Sequence, residues 1–130
     1  MEKTKEVVYD ENLHFEHQNW KSELDFWKDE LKTFNNRLSE MVTRYTSKEV
    51  LKQLEHYQNE IALHSGTIQD LKETIDEHEG SIAGHSQKGD ESMNVALVNT
   101  HMDFREKMET QRQIYAEMKK GFFRFLTKYM

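Results

Sequence analysis

The sequence predicts an all-α fold, an up-down-up antiparallel three-helix bundle packed along a continuous, coiled-coil-like heptad core. Three observations predict it. Apolar residues recur in alternating steps of four and three through three long runs. The 130-residue chain has no proline and only five glycines. Two short clusters of capping and loop residues separate the runs. An all-β fold would need turn residues every dozen positions, and these are absent.

The first run is Leu13, His17, Trp20, Leu24, Trp27, Leu31, Phe34, Leu38, Met41 and Tyr45. The second is Val50, Leu54, Tyr57, Ile61, His64, Ile68, Leu71, Ile75, His78, Ile82 and His85. The third is Leu97, His101, Phe104, Met108, Gln111, Tyr115, Met118, Phe122, Phe125 and Tyr129. A helix converts each run into one stripe along its surface. Between the first two, Thr46-Ser47-Lys48-Glu49 has capping-box spacing, with Thr46 as N-cap and Glu49 reaching back. A connection this short makes its helices antiparallel neighbours. The second break runs from Gly84 to Ser92, with Gly84, Gly89, Asp90 and Ser92 as loop and cap residues. Gly66 sits inside the second run without changing its phase, so that helix reads as continuous, with room for a bend.

The expected organisation is a single domain over 1–130. Helix 1 spans about 11–45, helix 2 about 47–86 and helix 3 about 93–129, with 1–10 frayed. Each helix is then about 50 Å long. In length, hand and a tryptophan on the first helix, such a bundle resembles a spectrin-type repeat. The resemblance implies an architecture only, because a fold does not carry a function.

Charge sets the register. Helices 1 and 3 run parallel, so the g position of one faces the next e position of the other. With His17 level with His101, Glu16 faces Arg105, Glu23 faces Arg112 and Glu30 faces Lys119, all opposite in sign. The short turn sets the antiparallel pairing. Placing Tyr45 level with Val50 puts Leu31 opposite His64 and His17 opposite His78. Two separate arguments therefore bring His17, His78 and His101 into one cross-section.

Three inward imidazoles, one per helix, can ligate zinc or copper and leave a fourth position open. Acceptors for the outer ring nitrogens are at hand in Glu16, Glu77, Glu79 and Asp103. His14 and His85, near the same end, are further candidate ligands. The competing expectation is a polar layer that sets register, or one that loosens in acid. His64, opposite Tyr115, is expected to make a core hydrogen bond, and Gln111 is a lone core amide beside Trp27 and Ile68. His56-x-x-x-Glu60 has a spacing seen in hemerythrin-like di-iron bundles. His56 falls on an outer heptad position, however, and a fourth helix would require a break at Gly66.

The C-terminal stretch is aromatic on more than one face. Phe122, Phe125 and Tyr129 fill the seam, leaving Phe123, Leu126 and Met130 as a candidate interaction patch. The net charge of −6 argues against nucleic acid, and no apolar run has membrane-spanning length. The absence of cysteine excludes thiolate chemistry. With no signal-like apolar stretch near Met1, a cytoplasmic location is the default expectation. No phosphate loop, nucleophile elbow or paired acid and base is visible. The leading expectation is a non-enzymatic helical module that binds a protein partner or itself. The alternative is a metal-binding (Zn or Cu) bundle using the histidine layer.

Overall fold

In a computed structural model the chain forms three α-helices, α1 (Glu2–Arg44), α2 (Lys48–Lys88) and α3 (Ser92–Tyr129). The structure describes the backbone of residues 2–88 and 92–129, and the side chains of 13–81 and 96–129. The predicted three-helix bundle is the observed fold, and most of the described heptad residues form its core. Leu24, Leu38, Met108 and Phe122 are fully enclosed, and Leu13, Leu31, Leu54, Ile68 and Ile75 nearly so. Among the described residues, no helix is long and apolar enough to cross a membrane.

The helix ends differ from the expectation in three places. Helix α1 begins at Glu2, so the segment read as frayed is helical. It contains no glycine or proline to stop a helix propagating from the packed region. Helix α2 starts at Lys48, which makes Ser47, not Thr46, the residue at the N-cap position: Leu51 N donates to Ser47 O at 3.0 Å. At its other end α2 carries through Gly84 to Lys88. One helical glycine costs only about 1 kcal/mol, too little to end a helix by itself. The remaining connection, residues 89–91, lies outside the described residues. Helix α2 also runs unbroken through Gly66, where an added Cβ would meet nothing within 4 Å.

The register follows the charges. Arg105 donates to both carboxylate oxygens of Glu16. Arg112 pairs with Glu23 at 2.8 Å and Lys119 with Glu30 at 2.6 Å. Between α1 and α2, Lys72 meets Asp25 at 2.5 Å and Lys21 pairs with Asp76. Exposed pairs stabilise weakly, by ~0–1 kcal/mol each. Their repetition still penalises any slip, because moving one helix by a turn would bring every pair out of step. At the tight-turn end, Tyr45 OH donates to the Tyr129 carbonyl, and Tyr57 stacks on Phe125 at 5.1 Å. That end is thereby closed by aromatic side chains, and the histidine layer lies toward the opposite end.

Candidate metal centre

His17 of α1, His78 of α2 and His101 of α3 occupy the three core stripes at one level. Their ring centroids are 5.0 Å (17–78), 5.1 Å (17–101) and 5.6 Å (78–101) apart. All three are buried, at 1%, 6% and 0% exposure. One ring nitrogen from each lies within 4.8 Å of the others. An ion at the centre of such a triangle would be at most about 2.8 Å from every donor. Zinc–imidazole bonds are about 2.0–2.1 Å, so each ring would close in by less than about 1 Å, within the range of small side-chain rotations.

The outward nitrogens are held from behind. His17 Nδ1 donates to Glu79 Oε2 at 2.6 Å, and His101 Nε2 donates to Glu16 Oε1 at 3.1 Å. A carboxylate can only accept, so each bond places the ring proton outside and a lone pair inside. His17 Nε2, His78 Nε2 and His101 Nδ1 are the nitrogens left buried with no hydrogen-bond partner. Buried polar atoms are nearly always satisfied, so three unsatisfied nitrogens in one layer need a reason. A bound cation supplies one, since it accepts lone pairs where no protein donor points.

Electrostatics keeps His78 and His101 in ligand form. Burial and repulsion by the other two rings push the His78 imidazolium down to about 4. Burial likewise lowers His101, partly offset by its bond to Glu16. Both are therefore neutral at pH 7. Burial works against charge on Glu79, but hydrogen bonds from His14 and His17 outweigh it and hold the carboxyl below its ordinary value. Glu16 is lowered in the same way, with burial outweighed by Arg105 and His101.

The other expected site residues separate clearly. His14 is exposed and binds the far oxygen of Glu79 at 2.5 Å, while Gln18 Nε2 donates to its Nε2 at 3.2 Å. His14 thus buttresses Glu79 and is not part of the converging group. The side chain of His85 lies outside the described residues. Of the four acidic candidates, Glu16 and Glu79 reach the layer. Glu77 and Asp103 make no hydrogen bond to it among the described residues. Heptad position distinguishes them: Glu16 and Glu79 flank the seam at g and e, whereas Glu77 and Asp103 sit at outer c positions. Sequence reasoning saw Arg105 only as a register residue, but it also clamps the carboxylate that holds His101.

A second polar cluster lies further along the core. His64 Nδ1 accepts from Gln111 Nε2 at 2.9 Å, and both are buried. The expected bond to Tyr115 is replaced by an edge contact, with ring centroids 5.6 Å apart. Tyr115 OH instead donates to Glu30 at 3.0 Å. Gln111 is therefore not a lone amide. His56 is exposed with its ring against Tyr57, and α2 has no break, so the di-iron pattern has no structural counterpart here.

The C-terminal patch divides. Phe123 is 45% exposed, and its edge meets Phe34 at 5.6 Å. Leu126 packs against the core instead of adding to the surface. Met130 lies outside the described residues. Phe26, across the α1/α3 groove, is 59% exposed, and Lys119 Nζ lies 5.9 Å from both phenyl rings.

Against known proteins, the chain matches no family model, no curated sequence and no solved structure at a significant level. The class is therefore defined by fold and site alone: an all-α three-helix bundle carrying a buried three-histidine layer.

Proposed function

We propose that this protein is a metal-binding helical bundle, in which His17, His78 and His101 hold one zinc or copper ion. One observation carries the reading: three buried imidazole nitrogens converge without hydrogen-bond donors, while carboxylates hold two of the rings from behind. Carboxylate–histidine–metal arrangements of this kind fix the tautomer and raise ligand basicity. A polar register layer does not require the lone pairs of His17 and His101 to point inward beside an unpartnered His78 nitrogen.

The test is elemental analysis of tag-free protein, with thermal melting in the presence of Zn²⁺ or copper. One equivalent of metal is expected per chain. A ligand bound only by the folded state at one hundred times its Kd adds ~2.7 kcal/mol. For a domain of this size that raises Tm by roughly 10 °C. Replacing His17 or His101 by Ala should abolish the rise, and His56→Ala should leave it intact. Melting curves unmoved by either metal at neutral pH would end this reading.

A second reading, association with a protein partner or a second copy, is favoured by the exposed rings of Phe26 and Phe123 on either side of Lys119. If that face mediates association, Phe123→Lys should convert an oligomer to monomer in sedimentation velocity without loss of helix. A wild-type monomer at high concentration would count against it.

A further inference from the structure

The grooves of the bundle are sealed to different degrees. Residues flanking the two seams of α1, such as Glu23, Glu30, Lys119, Lys72 and Glu79, are half-buried and tied by ion pairs. The α2/α3 groove differs. Its flanking residues Thr67, Thr74, Lys107 and Ile114 are exposed, and among the described residues no ion pair spans it. Two recesses open along it, of about 570 Å³ beside Thr67, Leu71 and Gln111 and about 350 Å³ beside Tyr57, Met118 and Gly121. At the divide stand Leu63 and Ile114, 67% and 50% exposed. They immediately precede His64 and Tyr115, whose rings meet edge-on, so they stand level on the two banks of the groove.

Charge on this face changes sign about that apolar pair. Heptad position places Asp70, Glu73 and Glu77 of α2 and Asp103 and Glu106 of α3 on the side toward the histidine layer. Lys52 of α2 and Lys120, Arg124 and Lys128 of α3 lie toward the tight turn. All of these are exposed. Lys107 in the first half, and Glu49, Glu60 and Glu117 in the second, oppose the division, but the halves still carry opposite net sign.

Such a face is complementary to itself. A two-fold axis crossing the groove at Leu63 and Ile114 lays α2 on α2 and α3 on α3, each pair antiparallel, and a two-fold contact uses the same patch on both copies. Leu63 then meets Leu63, and Ile114 meets Ile114. At 1.5 Å per residue, Asp103 and Arg124 lie about 16 and 15 Å from the axis on opposite sides, so each reaches its opposite charge in the second copy. Glu73 and Lys52, about 15 and 16 Å out, match in the same way. The partner's Arg124 would extend toward the larger recess, which Asp103 and Glu106 line. Parallel packing would instead set acid against acid. From Glu77 to Lys128 the face is about 42 Å long, and two adjacent helices make it about 20 Å wide. That is about 800 Å² per copy, the size of a stable interface.

We propose that the α2/α3 face is a homodimer interface, on which a second copy of the chain packs antiparallel across Leu63 and Ile114. It is a different face from that of Phe26 and Phe123, and it does not depend on bound metal.

The test is sedimentation velocity of the full chain. A dimer is expected at roughly 0.05 M salt, weakened about tenfold or more at roughly 0.5 M, where exposed charges are screened. Ile114→Lys should give a monomer with unchanged circular dichroism, and Phe123→Lys should remain dimeric. Asp103→Lys with Glu106→Lys makes the α3 face basic at both ends, and Lys120→Glu with Arg124→Glu makes it acidic at both. Each double variant should be monomeric alone, and the two should form a heterodimer when mixed. A wild-type monomer in low salt, a dimer untouched by Ile114→Lys, or charge-swapped variants that stay apart when mixed would overturn the proposal. A dimer dissolved by Phe123→Lys and not by Ile114→Lys would also overturn it, and would assign association to the α1/α3 groove.

Discussion

Acid should loosen the metal-free bundle well before its carboxylates titrate, and the size of the effect follows from one residue. The His78 imidazolium is pushed from 6.5 down to about 4 in the folded state, first by burial and then by repulsion from His17 and His101, with Glu79 opposing. An unfolded chain has no such constraint, so between these two values it binds more protons than the folded one. Stability is therefore fully present above pH 6.5 and falls as the pH drops toward 4. A tenfold difference in proton affinity between the folded and unfolded chain corresponds to about 1.4 kcal/mol, and between pH 7 and pH 5 this single site accounts for a loss of about 2 kcal/mol. His101 and His64 are lowered by burial as well, so they add to the loss. Glu16 and Glu79, held below 4.5, contribute only in stronger acid. Urea unfolding with a metal chelator at pH 7, 6 and 5 measures the effect. With an m-value of roughly 2 kcal/mol per molar for a chain of this size, the midpoint should fall by about 1 M. His78→Leu should remove most of that pH dependence. A midpoint that stays constant from pH 7 to 5, or an unchanged slope in the variant, would refute the reasoning.

Three other outcomes are expected. His64→Leu should cost about 1–3 kcal/mol, because it strands the buried Gln111 amide, and adding Gln111→Leu should recover much of the loss; failure of the double variant to recover in urea unfolding would show that the pair is not the source. Glu79→Gln should weaken metal binding about 10- to 100-fold, since it disturbs the proton that orients His17; isothermal titration with unchanged affinity would remove Glu79 from the site. Gly66→Ala should stabilise the bundle by about 0.5–1 kcal/mol, because the position is helical, exposed and open around the added methyl; a lower thermal midpoint would contradict that account.

The helical architecture was legible because period belongs to a single strand of sequence. Steps of four and three identify the buried stripe without knowledge of any neighbour. Charge at the stripe's edges then gives relative height, as the pairs Glu16–Arg105, Glu23–Arg112 and Glu30–Lys119 demonstrate. Height alone brought three histidines level. Signals at helix ends are weaker, since a cap or a glycine shifts the balance by only about 1 kcal/mol. Hence the start at Glu2, the cap at Ser47 and the extension of α2 to Lys88 departed from expectation.

What sequence by itself determined, then, is which residues share a face and a level: three helices, one seam, and His17, His78 and His101 in one cross-section. Only the tertiary structure decided which atoms meet. His64 was level with both Gln111 and Tyr115 to within a turn, and the side chains' reach across the core gave it Gln111. Phe123 and Leu126 shared a candidate patch until packing turned Leu126 against the core. The inward lone pairs of His17 and His101 depend on which flanking carboxylate each ring can touch. Heptad position is set by a repeat of several ångströms along one helix. A hydrogen bond is settled by tenths of an ångström and by the rotation of two helices about their own axes, and no single helix carries that information.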